Sequence, residues 1–314
     1  PGIRLSCLVE VTEDLDVELL GTEKEGKVLT SGYVPEFEKE FREGYGIAVD
    51  IGTTTAALDL VRLSDGEVLG QASMLNAQKQ FGQDVLTRIT YEYDHPDTGI
   101  ADLQRAVVES LNEEIRQLCE KAGIEKEEIR EIDVAANCTM MHMLLGVDAR
   151  SIGHAPYRPE FTKAQKLKAA GIGLWAGEET MLYCLPSVSA YIGADIVAGV
   201  RVCGLHEKTE KVLFIDIGTN GEIVLAGGGH LLSCSCAAGP ALEGMNISCG
   251  MRAADGAVED VRITEDGIRL TTIGDGEPEG LCGSGILAAV KELLRTGLVK
   301  KTGVFVKKDA LDPE

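Results

Sequence analysis

No stretch of this sequence approaches the roughly 20 consecutive apolar residues that a membrane-crossing helix needs, and its start carries no secretory signal pattern. Positive charge is also scarce. Lys and Arg number 30 against 51 Asp and Glu, a formal net charge of −21. Such a surface repels a phosphate backbone, which argues against a nucleic-acid partner. It still permits a local, amide-lined nucleotide pocket, and it can steer a partner that presents a basic patch. Disulfide spacing is missing too. Nine cysteines occur in 314 residues, yet Cys119, Cys138, Cys184, Cys203, Cys249 and Cys282 are scattered through apolar segments, and a chain of this length needs no staples. Most thiols are expected to be small core residues, in a reducing cytoplasm.

What is present begins with a hydrophobic fraction of 44%, ample for a core. The length allows one large or two ordinary domains. The stretch IAVDIGTTT, Ile47 to Thr55, recurs as LFIDIGTNG, Leu213 to Gly221. Asp50 and Asp216 lie 216 − 50 = 166 positions apart, longer than the period of solenoid repeats and domain-sized.

Organisation follows from this repeat. Residues 1–20 suggest two short strands, and 21–44 a polar linker. A first half over 45–200 opens with a three-stranded meander (Ile47–Ile51, AALDLVRL, VLGQASML). A helix follows with Ile100, Leu103, Val107, Leu111, Ile115 and Leu118 on one face. EIDVAAN (131–137) predicts a strand leading into a helix at CTMMHMLLG, and TMLYCLP (180–186) a strand leading into a helix over 187–200. At Lys211 the series restarts, giving a second half over 201–314. Three strands (VLFIDIG, EIVLA, HLLSCSCAA) carry a tight GGG turn at 227–229. Next come an added hairpin (GAVEDVRI, GIRLTTI) and a glycine-rich turn into a helix with Ile286, Val290 and Leu294 in line. The fold class is therefore α/β, two ribonuclease-H-like units with a cleft between them.

Each repeated loop sets an aspartate at the end of a buried strand, then Ile-Gly-Thr. A turn there aims successive backbone N–H groups at an anion, and glycine permits close approach. Candidate phosphate-binding residues are Gly52, Thr53, Thr54 and Thr55 in the first loop, and Gly218, Thr219, Asn220 and Gly221 in the second. Asp50 and Asp216 repel phosphate directly but can hold Mg²⁺ through water, and the metal bridges the phosphates. A single copy of this pattern is as well explained as a hairpin turn; two copies at domain spacing favour a clamp around a triphosphate.

The pair resembles the phosphate motifs of the actin-like ATPase (ASKHA) superfamily. Within it, AANCTMMHMLLGVDARSIGHAPYRPEF, CSCAAGPALEGMNISCGMRAADGAVEDV and GLCGSGILAAVKELL resemble one family, the ATP-dependent reductive activators of corrinoid proteins. The resemblance covers residues 45 to about 300. It implies Mg-ATP binding and slow hydrolysis, with Asp50 and Asp216 at the catalytic metal. It also implies one-electron reduction of a partner corrinoid protein from Co(II) to Co(I), in an anaerobic methyltransferase system. PGIRLSCLVEV resembles the end of that family's [2Fe–2S] ferredoxin domain, with Cys7 at the fourth ligand position. The other three ligands are absent, and a plant-type cluster needs four. The chain is thus expected to be a fragment, with neither cluster nor adenosine segment.

Further candidates have ordinary explanations beside the functional ones. SCSCAAGPALEG resembles a segment facing the corrinoid partner, with Ser235 and Gly239 as partner-facing residues and Ser235 the one approaching the cobalt; tight packing accounts for its small residues about equally well. Cys234 and Cys236 share a strand face, with Cys249 not far along, and could bridge a metal or cluster as in dehydratase activators of the same superfamily, but four ligands are not in evidence and core thiols are favoured. His142 sits on an apolar helix and fits a packed core histidine better than a ligand. Asn137 and Thr139 lie at a strand end facing the cleft, where Thr139 also suits a helix cap. Asp195 joins the metal shell or caps a helix. The GLCGSG turn offers N–H groups to an anion or packs tightly. Three rival functions stay open: a phosphotransferase of the acetate or sugar kinase type, for which no convincing base is found; an ATPase like the 2-hydroxyacyl-CoA dehydratase activators; and a non-catalytic, nucleotide-gated binding module. A homodimer also stays open.

Overall fold

The computed structural model describes residues 42–307, apart from 219, 238, 245 and 246. The expected N-terminal strands, most of the linker, Cys7 and Thr219 lie outside the described residues. The first half contains β1 (Tyr45–Ile51), β2 (Thr55–Arg62), β3 (Glu67–Leu75), α1 (Val85–Asp94), α2 (Gly99–Ala122), β4 (Ile129–Ala136), α3 (Cys138–Leu145), β5 (Gln165–Lys168), β6 (Met181–Cys184) and α4 (Ala194–Val202). The second contains β7 (Val212–Ile217), β8 (Asn220–Gly227), β9 (His230–Ala237), β10 (Ala257–Thr264), β11 (Gly267–Thr272), β12 (Gly280–Leu281) and α5 (Gly283–Arg295).

In the first half a six-stranded sheet runs β3-β2-β1-β4-β6-β5. The meander β1–β3 is antiparallel, whereas β4 runs parallel to β1 and β6 parallel to β4. Strand β1 is therefore interior, and alternate residues Ile47, Val49 and Ile51 are buried beneath α2 and α3 in one continuous core. Helix α2 contributes the expected stripe: Leu103, Val107, Leu111, Ile115 and Leu118 are buried, each worth roughly 1.5–3 kcal/mol of transfer free energy at most. It ends at Gly123, whose φ of +69° forms the left-handed cap. Arg42, at the end of the expected linker, is tied to the sheet: its N–H donates to Leu63 O and its guanidinium makes a two-pronged pair with Glu131.

The second half repeats the meander as the sheet β7-β8-β9, closed by Gly228 and Gly229 at φ +59° and +77°. Both positive angles are those of a tight hairpin turn that twists with its strands. The order β11-β10-β12 forms a separate sheet, against which α5 packs. Among the described residues β7 pairs with β8 alone. Among the described residues no layer covers the face that carries Leu213, Ile215 and Ile217, the repeat counterparts of Ile47, Val49 and Ile51, and they are 57%, 50% and 51% exposed where the first set is 0–4% exposed. Among the described residues, no helix is long and apolar enough to cross a membrane.

Three expectations are corrected, and one unexpected helix is found. The helix placed at 187–200 begins only at Ala194, because the Ser189 hydroxyl accepts from the Tyr191 and Ile192 N–H groups and turns the chain. In α5 the line Ile286–Val290–Leu294 is not the buried stripe. Val290 and Leu294 are exposed, while Gly285 and Glu292 face the sheet. Cys234 and Cys236 are exposed instead of buried, since nothing among the described residues packs over their face of β9, and Cys203 and Cys249 are exposed as well. Cys119, Cys138, Cys184 and Cys282 are core thiols. Helix α1 has no counterpart in the sequence reading. Its start is a reciprocal cap between Asp84 and Thr87, and its inward face carries Arg88 and Glu92, which interrupt the apolar periodicity.

Candidate functional site

The two aspartates end equivalent strands, and each is followed by a tight turn. In the first loop Gly52 N–H donates to Thr55 O at 2.9 Å, and a Cβ on Gly52 would lie 2.9 Å from that same oxygen. Only glycine closes this turn without a shift. In the second loop Gly218 N–H donates to Asn220 O at 3.0 Å. Thr53, Thr54, Thr55 and Gly218 are half-buried, Asn220 is exposed and Gly221 is buried.

The loops differ by one residue, and the difference is chemical. Asp50 pairs across its ladder with Ala57, whereas Asp216 pairs with Glu222. Directly paired residues in an antiparallel ladder project from the same face. The row continues from Glu222 to Ser235 on β9, whose hydroxyl donates to Glu222 Oε1 at 3.3 Å. Glu222 was missed in the sequence; its signal was its place directly behind the TNG turn.

Helix α4 supplies a third aspartate. Its N-terminus is pressed against the end of β4: a Cβ on Gly193 would lie 2.5 Å from Asn137 Cα. Its other end meets β7, where a Cβ on Gly199 would lie 2.8 Å from the Phe214 ring. Ile192, Ile196 and Val224 form a small core there with Val200 and Phe214. So placed, α4 joins the two halves and holds Asp195 in its first turn, with Ile196 N–H donating to Asp195 Oδ1 at 2.8 Å.

Electrostatics ties these groups into one acidic cluster. Partial loss of hydration, then the charges of Asp195 and Asp216, push Asp50 up to about 6, although the residue keeps contact with solvent. Burial and then the Asp216 charge raise Asp195, and partial loss of hydration raises Asp216, which itself stays exposed. Burial, then Asp195 and Asp216, push Glu222 up to about 7 against the Ser235 hydrogen bond. Crowded carboxylates of this kind favour a cation. Among the described residues no three His, Cys, Asp or Glu side chains converge as a direct metal-ligand group. The donor set suits Mg²⁺, which keeps several waters and takes its remaining ligands from phosphate. The described residues supply no ligand set for an iron–sulfur cluster.

The other sequence candidates separate. Asn137, not Thr139, caps α3: its Oδ1 accepts from Met140 N–H at 2.9 Å and its Nδ2 donates to Thr53 Oγ1 at 3.2 Å. Thr139 is buried. His142 is a core residue, its Nδ1 bonded to Cys138 O at 2.7 Å, its ring stacked on Phe161 at 4.2 Å and its pKa lowered by burial. The glycines of GLCGSG serve packing, since a Cβ on Gly283 or Gly285 would lie 1.9 Å from Leu242 O or Val258 O. Gly239 adopts φ +80° with open space around it.

The sequence matches two adjoining family descriptions: "RACo middle region" over residues 45–208 and "C-terminal domain of RACo the ASKHA domain" over residues 210–312. It is 38% identical over 280 residues to the corrinoid activation enzyme RamQ of Eubacterium limosum, covering 89% of this chain and 46% of that protein. It is 26% identical to a [Co(II) methylated amine-specific corrinoid protein] reductase of Methanosarcina barkeri, covering 82% of this chain and 52% of that protein. A solved structure of a reductive activator for a corrinoid, iron-sulfur protein superposes with a TM-score of 0.75 at 42% identity, covering 84% of this chain and 42% of the other. The chain thus spans about half the length of the curated relatives it matches.

Proposed function

We infer the function from one premise: the chain belongs to the RACo family, whose C-terminal part is an ASKHA domain. We propose that it binds and slowly hydrolyses Mg-ATP between a first half over 45–200 and a second over 201–314. In that role it couples ATP to the one-electron reduction of a partner corrinoid protein from Co(II) to Co(I), in the cytoplasm. The relatives are named for corrinoid activation and for Co(II) corrinoid reduction. The observation that carries the nucleotide part is the gathering of Asp50, Asp195, Asp216 and Glu222 beside two glycine turns.

In this proposal backbone N–H groups of the turns at Gly52 and Gly218 bind the phosphates. Thr53 to Thr55 in the first loop, and Thr219 to Gly221 in the second, line them. Asp50 and Asp216 orient the waters of a magnesium ion, which neutralises charge on the phosphates when bound. Asp195, on the helix that touches both halves, makes closure sensitive to what the cleft holds.

Coupling is energetically reasonable. Each ~59 mV of one-electron deficit costs a factor of ten, about 1.4 kcal/mol. Moving a two-state clamp from about 1:99 to 99:1 takes about 5.5 kcal/mol, or about four such decades. The electron comes from a one-electron donor and ends on cobalt. The exposed strand β9 and the loop at Gly239 support a docking face for the corrinoid partner.

The test mixes the protein with a Co(II) corrinoid protein and a low-potential one-electron donor, with and without Mg-ATP. Co(I) absorbance that appears only with Mg-ATP, together with phosphate release, supports the proposal. Phosphorylation of an added acetate or sugar in place of cobalt reduction would favour the kinase reading.

A further inference from the structure

Three consecutive carbonyl oxygens of the first loop accept hydrogen bonds from the protein interior. Asn76 Nδ2 donates to Gly52 O at 2.8 Å, Arg88 Nη2 to Thr53 O at 2.5 Å, and Asn76 N–H to Thr54 O at 2.9 Å. In a planar trans peptide the C=O and N–H of one unit point in opposite directions. Holding the Gly52 and Thr53 carbonyls inward therefore turns the Thr53 and Thr54 N–H groups the other way, away from the core.

Both donors are themselves fixed. Asn76 and Arg88 are 0% exposed. Asn76 Oδ1 accepts from Gln78 N–H at 3.0 Å, which orients the side-chain amide. Arg88 Nε donates to Gly82 O at 2.9 Å, and Nη1 to Gln78 Oε1 at 3.4 Å and Met140 Sδ at 3.1 Å. Every one of these partners is neutral. Burial pulls the guanidinium down to about 10, opposed by the more distant Asp84, so it stays cationic at neutral pH. A buried cation bonded only to neutral groups is costly unless its charge is used. Lysine could not replace the planar fork that spans these partners.

We propose that Arg88 and Asn76 are positioning residues for the phosphate-binding loop. They hold its carbonyls inward so that backbone N–H groups face the nucleotide, and Arg88 places an unneutralised positive charge directly behind them. The inference rests on the nucleotide reading above and adds what gives its first loop an affinity for phosphate. The competing explanation is that Arg88 merely braces α1 against α3.

The experiment uses the full chain with two probes, Mg-ATP and inorganic tripolyphosphate, and measures binding by calorimetry. Amide hydrogen exchange at Gly52 is followed in the ligand-free protein. Arg88→Met should weaken both probes about tenfold or more, and Asn76→Ala, which keeps the charge, by less. Arg88→Lys should fall between wild type and Arg88→Met. Exchange at Gly52, whose N–H is held by Thr55 O, should quicken in Arg88→Met and Asn76→Ala, while β4 and α2 stay protected. Should Arg88→Met fail to fold, Asn76→Ala carries the test. If the variants lower the melting temperature yet leave affinity within about twofold and loop exchange unchanged, the two residues only fill the core and the proposal falls. A wild-type chain that binds neither probe defeats the nucleotide reading, and loop exchange still decides the positioning role.

Discussion

Asp216 and Glu222 face each other directly across the β7–β8 ladder, two like charges where opposite charges or apolar pairs usually stand. A carboxyl whose pKa is higher in the folded than in the unfolded chain binds more protons when folded, so stability falls as pH rises. Asp50 moves from 3.8 to about 6 and Glu222 from 4.5 to about 7. Their favourable contribution is fully present below about pH 4 and is lost as pH rises through about 6 and 7. Glu92, raised to about 7, acts in the same direction. Glu292, held at about 2 by Arg295 and the Ile263 N–H, acts oppositely, but only in more acid solution. The metal-free chain should therefore melt lower near pH 8 than near pH 5.5, and added Mg²⁺ should recover most of the difference. Scanning calorimetry at both pH values checks this; a melting temperature indifferent to pH and magnesium would mean the carboxylates do not crowd.

Removing one of these charges should separate stability from function. Asp216→Asn relieves repulsion on Glu222 and Asp195, so the metal-free protein should melt about 2–4 °C higher for each kcal/mol released. The same change removes a carboxylate from the metal's water shell. Mg-ATP affinity should fall about tenfold or more, about 1.4 kcal/mol, while magnesium-free nucleotide binding changes little because the backbone amides survive. Calorimetric titration with and without magnesium reads both. Equal losses in the two titrations would assign Asp216 to nucleotide contact instead of the metal.

The contact between Gly199 and Phe214 joins α4 to the second half, and Asp195 sits one turn away on that helix. Gly199→Val would force the helix off β7, since even a Cβ would lie 2.8 Å from the ring. The expected cost is about 1–3 kcal/mol, read by chemical denaturation. Glu222 should also titrate closer to its ordinary value as Asp195 moves away, which a pH series of the melting temperature would show. A variant as stable as wild type would mean that this junction is plastic.

The sequence repeat made the two meanders legible because alternate apolar residues, a terminal aspartate and a glycine turn are all local signals. The burial of the repeat was not. Val49 and Ile215 occupy the same place in the motif, and the packing of α2 and α3 onto the first sheet decides that Val49 is covered. Asp50 and Asp216 could be singled out from the motif, but Glu222 needed the register of a loop one residue shorter. Arg88 was invisible in principle. A buried cation interrupts the apolar period of α1, so the feature that matters hid the helix that carries it. Cys234 and Cys236 are expected in the core for want of a ligand set, yet are exposed because nothing among the described residues packs over their face of β9.

Ser235 tests which face of β9 belongs to which activity. Side chains alternate along a strand, so Ser235 shares the Asp216–Glu222 row, while Cys234, paired with Ile223, projects from the opposite face. Ser235 is half-buried and bonded to Glu222, whereas Cys234 and Cys236 are exposed. A tryptophan at Ser235 would enter the acidic cluster and displace the Glu222 contact. Ser235→Trp should therefore weaken Mg-ATP binding about tenfold or more, and any corrinoid reduction should fall with it. Cys234→Trp should leave Mg-ATP affinity within about twofold, because its side chain never reaches the cluster, yet obstruct a partner that docks on the outer face. Measuring nucleotide affinity and Co(I) formation for both variants separates the two surfaces. If Ser235→Trp blocks cobalt reduction while nucleotide binding is untouched, the corrinoid approaches the same face as the phosphates, and the segment from Ser233 to Glu243 docks it from inside the cleft.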